Sequence, residues 1–378
     1  MTTAPWNRQF RGVAFALLLA LGVSLAAQVP PAGSLPARLD DAEFWALEQD
    51  ISEPGGYFQI TDNYTSNEAE VGQLFTMLRE TGVQGGVYLG VGPEQNLTYI
   101  AAIHPAMAFI VDIRRQAVMQ HLMFKVMFEL AKDRADFISL LFSKPRPDGI
   151  DDTTPIQQIW EAYARVATND EAATSNAARV VDRLTKTHGF TFTPNESAQL
   201  AAVLEAFAEI GPMISTRGSP GRGGGNGSTF ADLTGWSRDA SGEPQSFLST
   251  EENFRYVKTL HERNLIVPVS GDFGGPKAIR EIGTYLKTRG GTVSAFYVSN
   301  VEQYLFQDRK DRAFYGNVAT LPITDKTVFI RPYSLRRSPY SARRSSSPAQ
   351  SLCAIGGFLS AVDQGRIQDN IDALACAR

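Results

Sequence analysis

Cysteine and histidine are scarce in this chain of 378 residues, which has two of the first and four of the second. Cys353 and Cys376 share one C-terminal segment, and His104, His121, His188 and His261 are scattered. No metal-ligand spacing can be built from them, so a structural zinc site is not expected. Charge of one sign is not in excess either: the formal net charge is -4, which argues against general nucleic-acid binding. No Gly-x-Ser-x-Gly elbow sits on a strand-to-helix turn, which removes support for serine-hydrolase chemistry. The glycine-rich stretch 215–228 has no strand before it and no Gly-Lys-Ser/Thr after it, so it is not a P-loop; it reads as a loop whose Arg217 and Arg222 could close over an anion. Apolar residues make up 43% of the chain, enough to bury the core of one large or two small domains.

One continuous apolar run, Gly12 to Ala27, follows Asn7, Arg8 and Arg11 and ends in the small residues Ser24, Ala26 and Ala27. It is shorter than the ~20 residues that span a bilayer, so residues 1–27 read as a cleaved secretory signal, with an uncleaved anchor as the alternative. Export to a periplasmic or extracellular compartment agrees with a Cys353–Cys376 disulfide closing a loop around residues 367–375. No stable membrane span is expected after cleavage.

The densest information lies in Val87 to Arg115, VYLGVGPEQNLTYIAAIHPAMAFIVDIRR. A short apolar strand runs into Gly90-Val91-Gly92, where missing side chains permit a sharp turn and close approach of a ligand. Pro93 suits a first helical position, and Leu97, Ile100 and Ala101 follow at helical spacing. The unpaired N–H groups of that helix face whatever lies above the glycines, which favours an anionic or polar ligand. His104-Pro105 stops the helix, and a second buried strand ends at Asp112, placed to accept hydrogen bonds from ribose hydroxyls. Gly90, Gly92, Pro93, Glu94, Asn96, Asp112 and Arg114 are therefore the candidate cofactor-binding residues of a Rossmann-like unit.

At these residues the chain resembles the class I S-adenosylmethionine-dependent methyltransferases, whose first motif is an acidic residue, any residue, then Gly-x-Gly, with a second acidic residue closing the next strand. Tyr88 stands where that family usually has its first acidic residue, and Glu94 where a third glycine is common. The block GVGPEQNLTYIAAI also resembles one from a family of uncharacterised bacterial proteins of methyltransferase-like fold, over about residues 40–333. The resemblance implies a mostly parallel α/β sheet with helices on both faces, and S-adenosylmethionine as a conceivable cofactor. It does not extend to the Asn/Asp-Pro-Pro-Tyr/Phe motif of amino-group methylation.

The rest of the chain is organised around that unit. Residues 40–147 form its first part; 148–214 are a helical insertion ending in the capping box Thr193-Pro194-Asn195-Glu196; 229–335 form its second part. Leu265–Val269 enters a second glycine turn, followed by a helix and the strand Thr292–Val298; Val318–Leu321 and Thr327–Ile330 read as an antiparallel edge pair. Residues 336–378 read as a basic, serine-rich linker and tail. At the strand ends Asp272 and Asn300 are candidate substrate contacts, and Glu94, Asp272 and Glu302 candidate acid/base groups.

Three functions fit: an exported protein binding a small polar or nucleotide-like ligand at the Gly90–Asn96/Asp112 cleft; a methyltransferase using S-adenosylmethionine; and a non-enzymatic envelope protein whose cofactor cleft is degenerate. Export separates the first and third from the second, because S-adenosylmethionine is made and kept in the cytoplasm. The third expects Glu94 or Tyr88 to fill the cofactor volume.

Overall fold

The computed structural model describes residues 1–2, 33–60, 63–66, 68, 71–216, 228–333 and 349–375. Residues 3–27 of the expected signal sequence, Arg217 and Arg222, the serine-rich stretch and Cys376 lie outside the described residues. Among the described residues no helix is long and apolar enough to cross a membrane.

Two helices, α1 (Asp41–Ile51) and α2 (Gly72–Thr81), precede the sheet. Asp40 and Glu43 form the capping box that starts α1, which buries Phe44, and Gly82 in the left-handed region ends α2. Then come β1 (Val87–Gly90), α3 (Gln95–Ile103), β2 (Met107–Asp112), α4 (Arg115–Leu130) and α5 (Arg134–Phe142). His104 ends α3 in a left-handed conformation and stacks on Tyr256, ring centroids 4.1 Å apart.

The insertion supplies α6 (Ile156–Ala164), α7 (Asp170–Asp182), a π-helical turn (Arg183–Thr187) and α8 (Pro194–Ile210). Thr193 and Glu196 cap α8 as the sequence predicts, with Pro194 in its first turn. The insertion shares the main core: Phe207 of α8 packs edge-on against Tyr64, Phe124 and Phe230. Burying one such ring is worth about 1.5–3 kcal/mol.

After α9 (Phe230–Gly235) and α10 (Glu251–Glu262), the sheet resumes with β3 (Ile266–Ser270), α11 (Ala278–Thr288), β4 (Val293–Tyr297), α12 (Val301–Gln307), α13 (Asp311–Val318) and β5 (Val328–Tyr333). It closes with β6 (Ala349–Ala354), α14 (Ile355–Asp363) and α15 (Asn370–Ala375). The strand order is β3-β2-β1-β4-β5-β6. The first five strands are parallel, and β6 is antiparallel to β5. Strands β1, β2 and β3 are buried along their whole length, as a parallel sheet covered by helices requires. Winding reverses between β1 and β4, and ligands of open α/β sheets gather at such a point.

The edge differs from the sequence reading in two places. Val318–Leu321 is no strand: Phe314, Tyr315 and Val318 recur at helical spacing, so this stretch is the end of α13 and the turn after it. The antiparallel partner of β5 is β6, drawn from residues that read as tail. Its attachment rests on Arg331, fully buried with its guanidinium 4.2 Å from the Phe329 ring and 3.9 Å from that of Phe358. At the opposite edge, β3 contains Pro268. Leu265 O and Gly271 N bond to β2, so the even-numbered residues between them turn their backbone groups outward. Ser270 is one of these, and its N–H and carbonyl are taken by Ser52 Oγ at 3.0 Å and Glu53 N at 2.7 Å.

Candidate functional site

The glycine turn leaves β1 at the reversal point, and its two glycines have separate causes. Gly92 adopts φ +78°, where a side chain would be strained. Gly90 has an ordinary φ, but a Cβ there would lie 1.9 Å from Asn96 Oδ1 and 2.7 Å from the Tyr88 hydroxyl. Those two groups bond to each other: the Tyr88 O–H donates to Asn96 Oδ1 at 2.9 Å. Asn96 Nδ2 donates back to the carbonyls of Val91, Gly92 and Pro93 at 3.0, 3.0 and 2.7 Å. The side chain of Asn96 thus ties the turn together from inside.

The turn is roofed by residues 63–66 and Glu68. Both carboxyl oxygens of Glu94 accept from Ser66 N at 3.1 Å, Gln120 Nε2 donates to Tyr64 O at 2.6 Å, and Glu68 accepts from the Tyr297 and Ser299 hydroxyls at 2.5 and 2.8 Å. Every residue from Val91 to Asn96 is buried. Burial pushes the Glu94 carboxyl up to about 8 against the opposing Ser66 N–H, so it is mostly protonated at neutral pH. His121 donates from Nε2 to Gly92 O at 2.9 Å, which fixes its tautomer, and burial lowers it to about 4. Burial also raises the Tyr88, Tyr99 and Tyr297 hydroxyls, with the Glu68 charge adding to each.

Asp112 ends β2 on the same rim, two residues beyond the pairing of Gly90 with Ile110. Its carboxylate is engaged by Arg114: Oδ1 accepts from Arg114 N at 2.9 Å and Nε at 3.0 Å, and Oδ2 from Nη2 at 2.9 Å. The two side chains expected to hold a cofactor therefore hold each other.

The second glycine turn, after β3, follows the same pattern. Glu53 reaches across from the segment after α1 and accepts from Lys277 N and Ala278 N, both at 2.9 Å, at the start of α11. A Cβ on Gly275 would lie 2.5 and 2.7 Å from the Glu53 oxygens. A carboxylate of the chain itself thus occupies the helix N-terminus that would attract an anion. Asp272 lies on this turn, accepting from Gly274 N at 2.9 Å and from Lys310 Nζ at 2.6 Å, a pairing that raises the Lys310 ammonium.

The remaining candidates lie apart from the glycine turns' donors. Asn300 precedes α12 without a side-chain cap bond. Glu302 is buried in an ion pair with Arg331, whose Nη2 donates to Oε1 at 2.8 Å, and accepts from the Tyr315 O–H at 2.8 Å. That pairing joins α12 to β5, while Arg331 also donates to Ala373 O at 3.3 Å and lies over the Phe358 ring, so the carboxylate expected as an acid/base group is engaged inside the protein. Among the described residues no group of three or more His, Cys, Asp or Glu could hold a metal ion.

Sequence reasoning misses Glu53, Ser66, Glu68, His121 and Tyr297. The one signal available was Gly55-Gly56, where Cβ atoms would meet Arg115 Cβ at 2.9 Å and Ile113 Cγ1 at 2.6 Å. That glycine pair marks the segment that crosses the sheet rim.

Fold and turn together define a Rossmann-like α/β protein with a six-stranded, mostly parallel sheet. The family described as a domain of unknown function, DUF7790, matches residues 64–188 and 232–355, and the chain belongs to it. No curated protein matches the chain.

Proposed function

We propose that this chain is a non-enzymatic protein of methyltransferase-like fold in which the ground used by a nucleotide cofactor is filled by the protein's own side chains. One observation carries the reading: the space freed at Gly90 holds the Asn96 amide and the Tyr88 hydroxyl. The glycine serves internal packing in place of ligand approach. Glu53 at α11 and Arg114 on Asp112 support it, since each satisfies a group that a cofactor would otherwise engage. The apolar run Gly12–Ala27 supports export, to a compartment where S-adenosylmethionine is not supplied.

The test is thermal unfolding with S-adenosylmethionine and S-adenosylhomocysteine. A ligand at 100 times its Kd would add about 2.7 kcal/mol of stability. We expect no shift with either, and a shift of that size would overturn the reading. The methyltransferase alternative draws on Asp112 at the end of β2. It requires residues 63–66 and Glu68 to leave the turn and Arg114 to release its carboxylate, and the same measurement decides it.

A further inference from the structure

A cleft of about 800 Å³ opens beside the closed turn, between residues 52–58, the start of α4 and the first turn of α8. Every charge singled out in its wall is answered inside the protein. Arg114 is held by Asp112, Arg115 by Glu48 and Glu196, and Glu53 by the backbone of α11. An anion entering here would have to displace a carboxylate from an arginine, and a cation would have to compete with an arginine or with the backbone amides that hold Glu53. The charged groups of the wall are thus already engaged, which leaves its uncharged polar groups to meet a ligand.

What remains unengaged on the wall has one chemistry. Gln116 and Asn195 line the cleft and make no side-chain hydrogen bond among the described residues. On the same wall, Gln199 Oε1 is buried without a donor, a debt that protein interiors rarely leave standing. Each primary amide offers two donors and an acceptor, the set that matches hydroxyl groups, which both donate and accept. At the mouth, the Tyr57 side chain is among the large apolar ones left outside the core, 82% exposed. Its neighbour Phe58 is committed edge-on to Tyr304, ring centroids 5.1 Å apart. One free aromatic face with amides around it suits the C–H face and hydroxyl rim of a sugar ring.

We propose that this cleft is a saccharide-binding site, with Gln116 and Asn195 meeting the hydroxyls and Tyr57 backing the ring. The proposal goes beyond the closed glycine turn and stands or falls separately from it. It is tested by saturation-transfer NMR on the full chain with maltose, adenosine and inorganic phosphate as separate probes. Maltose should receive saturation at its ring protons, and the double variant Gln116→Ala/Asn195→Ala should weaken its binding about tenfold or more, the scale of one or two lost hydrogen bonds. Tyr57→Ala should weaken it severalfold. Both substitutions leave the core untouched, so the unfolding temperature should not move. The assignment is overturned if maltose at about 10 mM gives no transfer, a concentration above the Kd of even a weak millimolar site. It is also overturned if the double variant binds maltose unchanged, or if only adenosine or phosphate binds. Any stabilisation by S-adenosylmethionine that survives the double variant counts against the closed turn and not against this site.

Discussion

The reading of Gly90 as a packing glycine can be tested by a double-mutant cycle with Asn96. Asn96→Ala removes the acceptor of the Tyr88 O–H, a fully buried donor, and the three bonds to the turn carbonyls. An unsatisfied buried donor costs about 2 kcal/mol and the lost bonds about 1 more, so the variant should lose roughly 3 kcal/mol. Gly90→Ala drives a methyl group to 1.9 Å from Asn96 Oδ1 and should cost about the same, because the amide must abandon its bonds to move. In the Asn96→Ala background that clash is gone and only the contacts with Tyr88 remain, so Gly90→Ala should then cost about 1 kcal/mol. The cycle should show a coupling of about 2 kcal/mol, well outside the ~0.5 kcal/mol scatter of independent sites. Urea unfolding followed by circular dichroism measures all four proteins. If Gly90→Ala alone leaves stability within about 0.5 kcal/mol of the parent, the freed space is not used by the chain and the argument for a self-filled turn fails.

Other consequences are equally direct. Because the folded Glu94 carboxyl is raised from 4.5 to about 8, the folded state holds a proton that the unfolded chain gives up. Its contribution is full below pH 4.5 and is lost as pH rises toward 8; Glu94→Gln should flatten that decline in a pH series of unfolding free energies, and an unchanged slope would contradict it. Arg331→Met leaves the Glu302 carboxylate buried and unpaired, with an expected loss of about 3–5 kcal/mol in urea unfolding. A loss under about 1 kcal/mol would mean that the packing of α12 on β5 does not depend on this pair. Glu53→Ala should cost about 1 kcal/mol, as for a lost helix N-cap, with protection of the amides of Lys277 and Ala278 falling in hydrogen exchange. Unchanged protection there would argue that Glu53 is not their partner.

Much of the frame is legible in the sequence because parallel strands announce themselves. Val87–Leu89, Ala108–Val111 and Leu265–Val269 are short apolar runs followed by Gly90, Asp112 and Ser270-Gly271, and each becomes a strand with its carboxyl end on the same rim. The edge is harder to read. Val318 and Leu321 are apolar enough for a strand, but the aromatic pair Phe314-Tyr315 ahead of them sets a helical period. β6 carries Ser351 and Gln350 beside a serine-rich stretch, so what makes it a strand is its pairing with β5, far away in sequence. For the site, the spacing gives the rim position of Gly90, Glu94, Asn96 and Asp112. It does not give their partners. That Arg114 would face Asp112 and not a cofactor, or that Ser66 would meet Glu94 across 28 residues, depends on how loops cross the rim, and no local period encodes that.

Pro268 has a consequence for the protein's behaviour in crowded solution. It sits on the outer strand with its nitrogen turned away from β2, at a position where any other residue would present a free donor. With Ser52 and Glu53 already bound to the outward groups of Ser270, this margin offers an incoming chain almost nothing to zip onto. The same features that finish the rim also guard the molecule against edge-to-edge polymerisation.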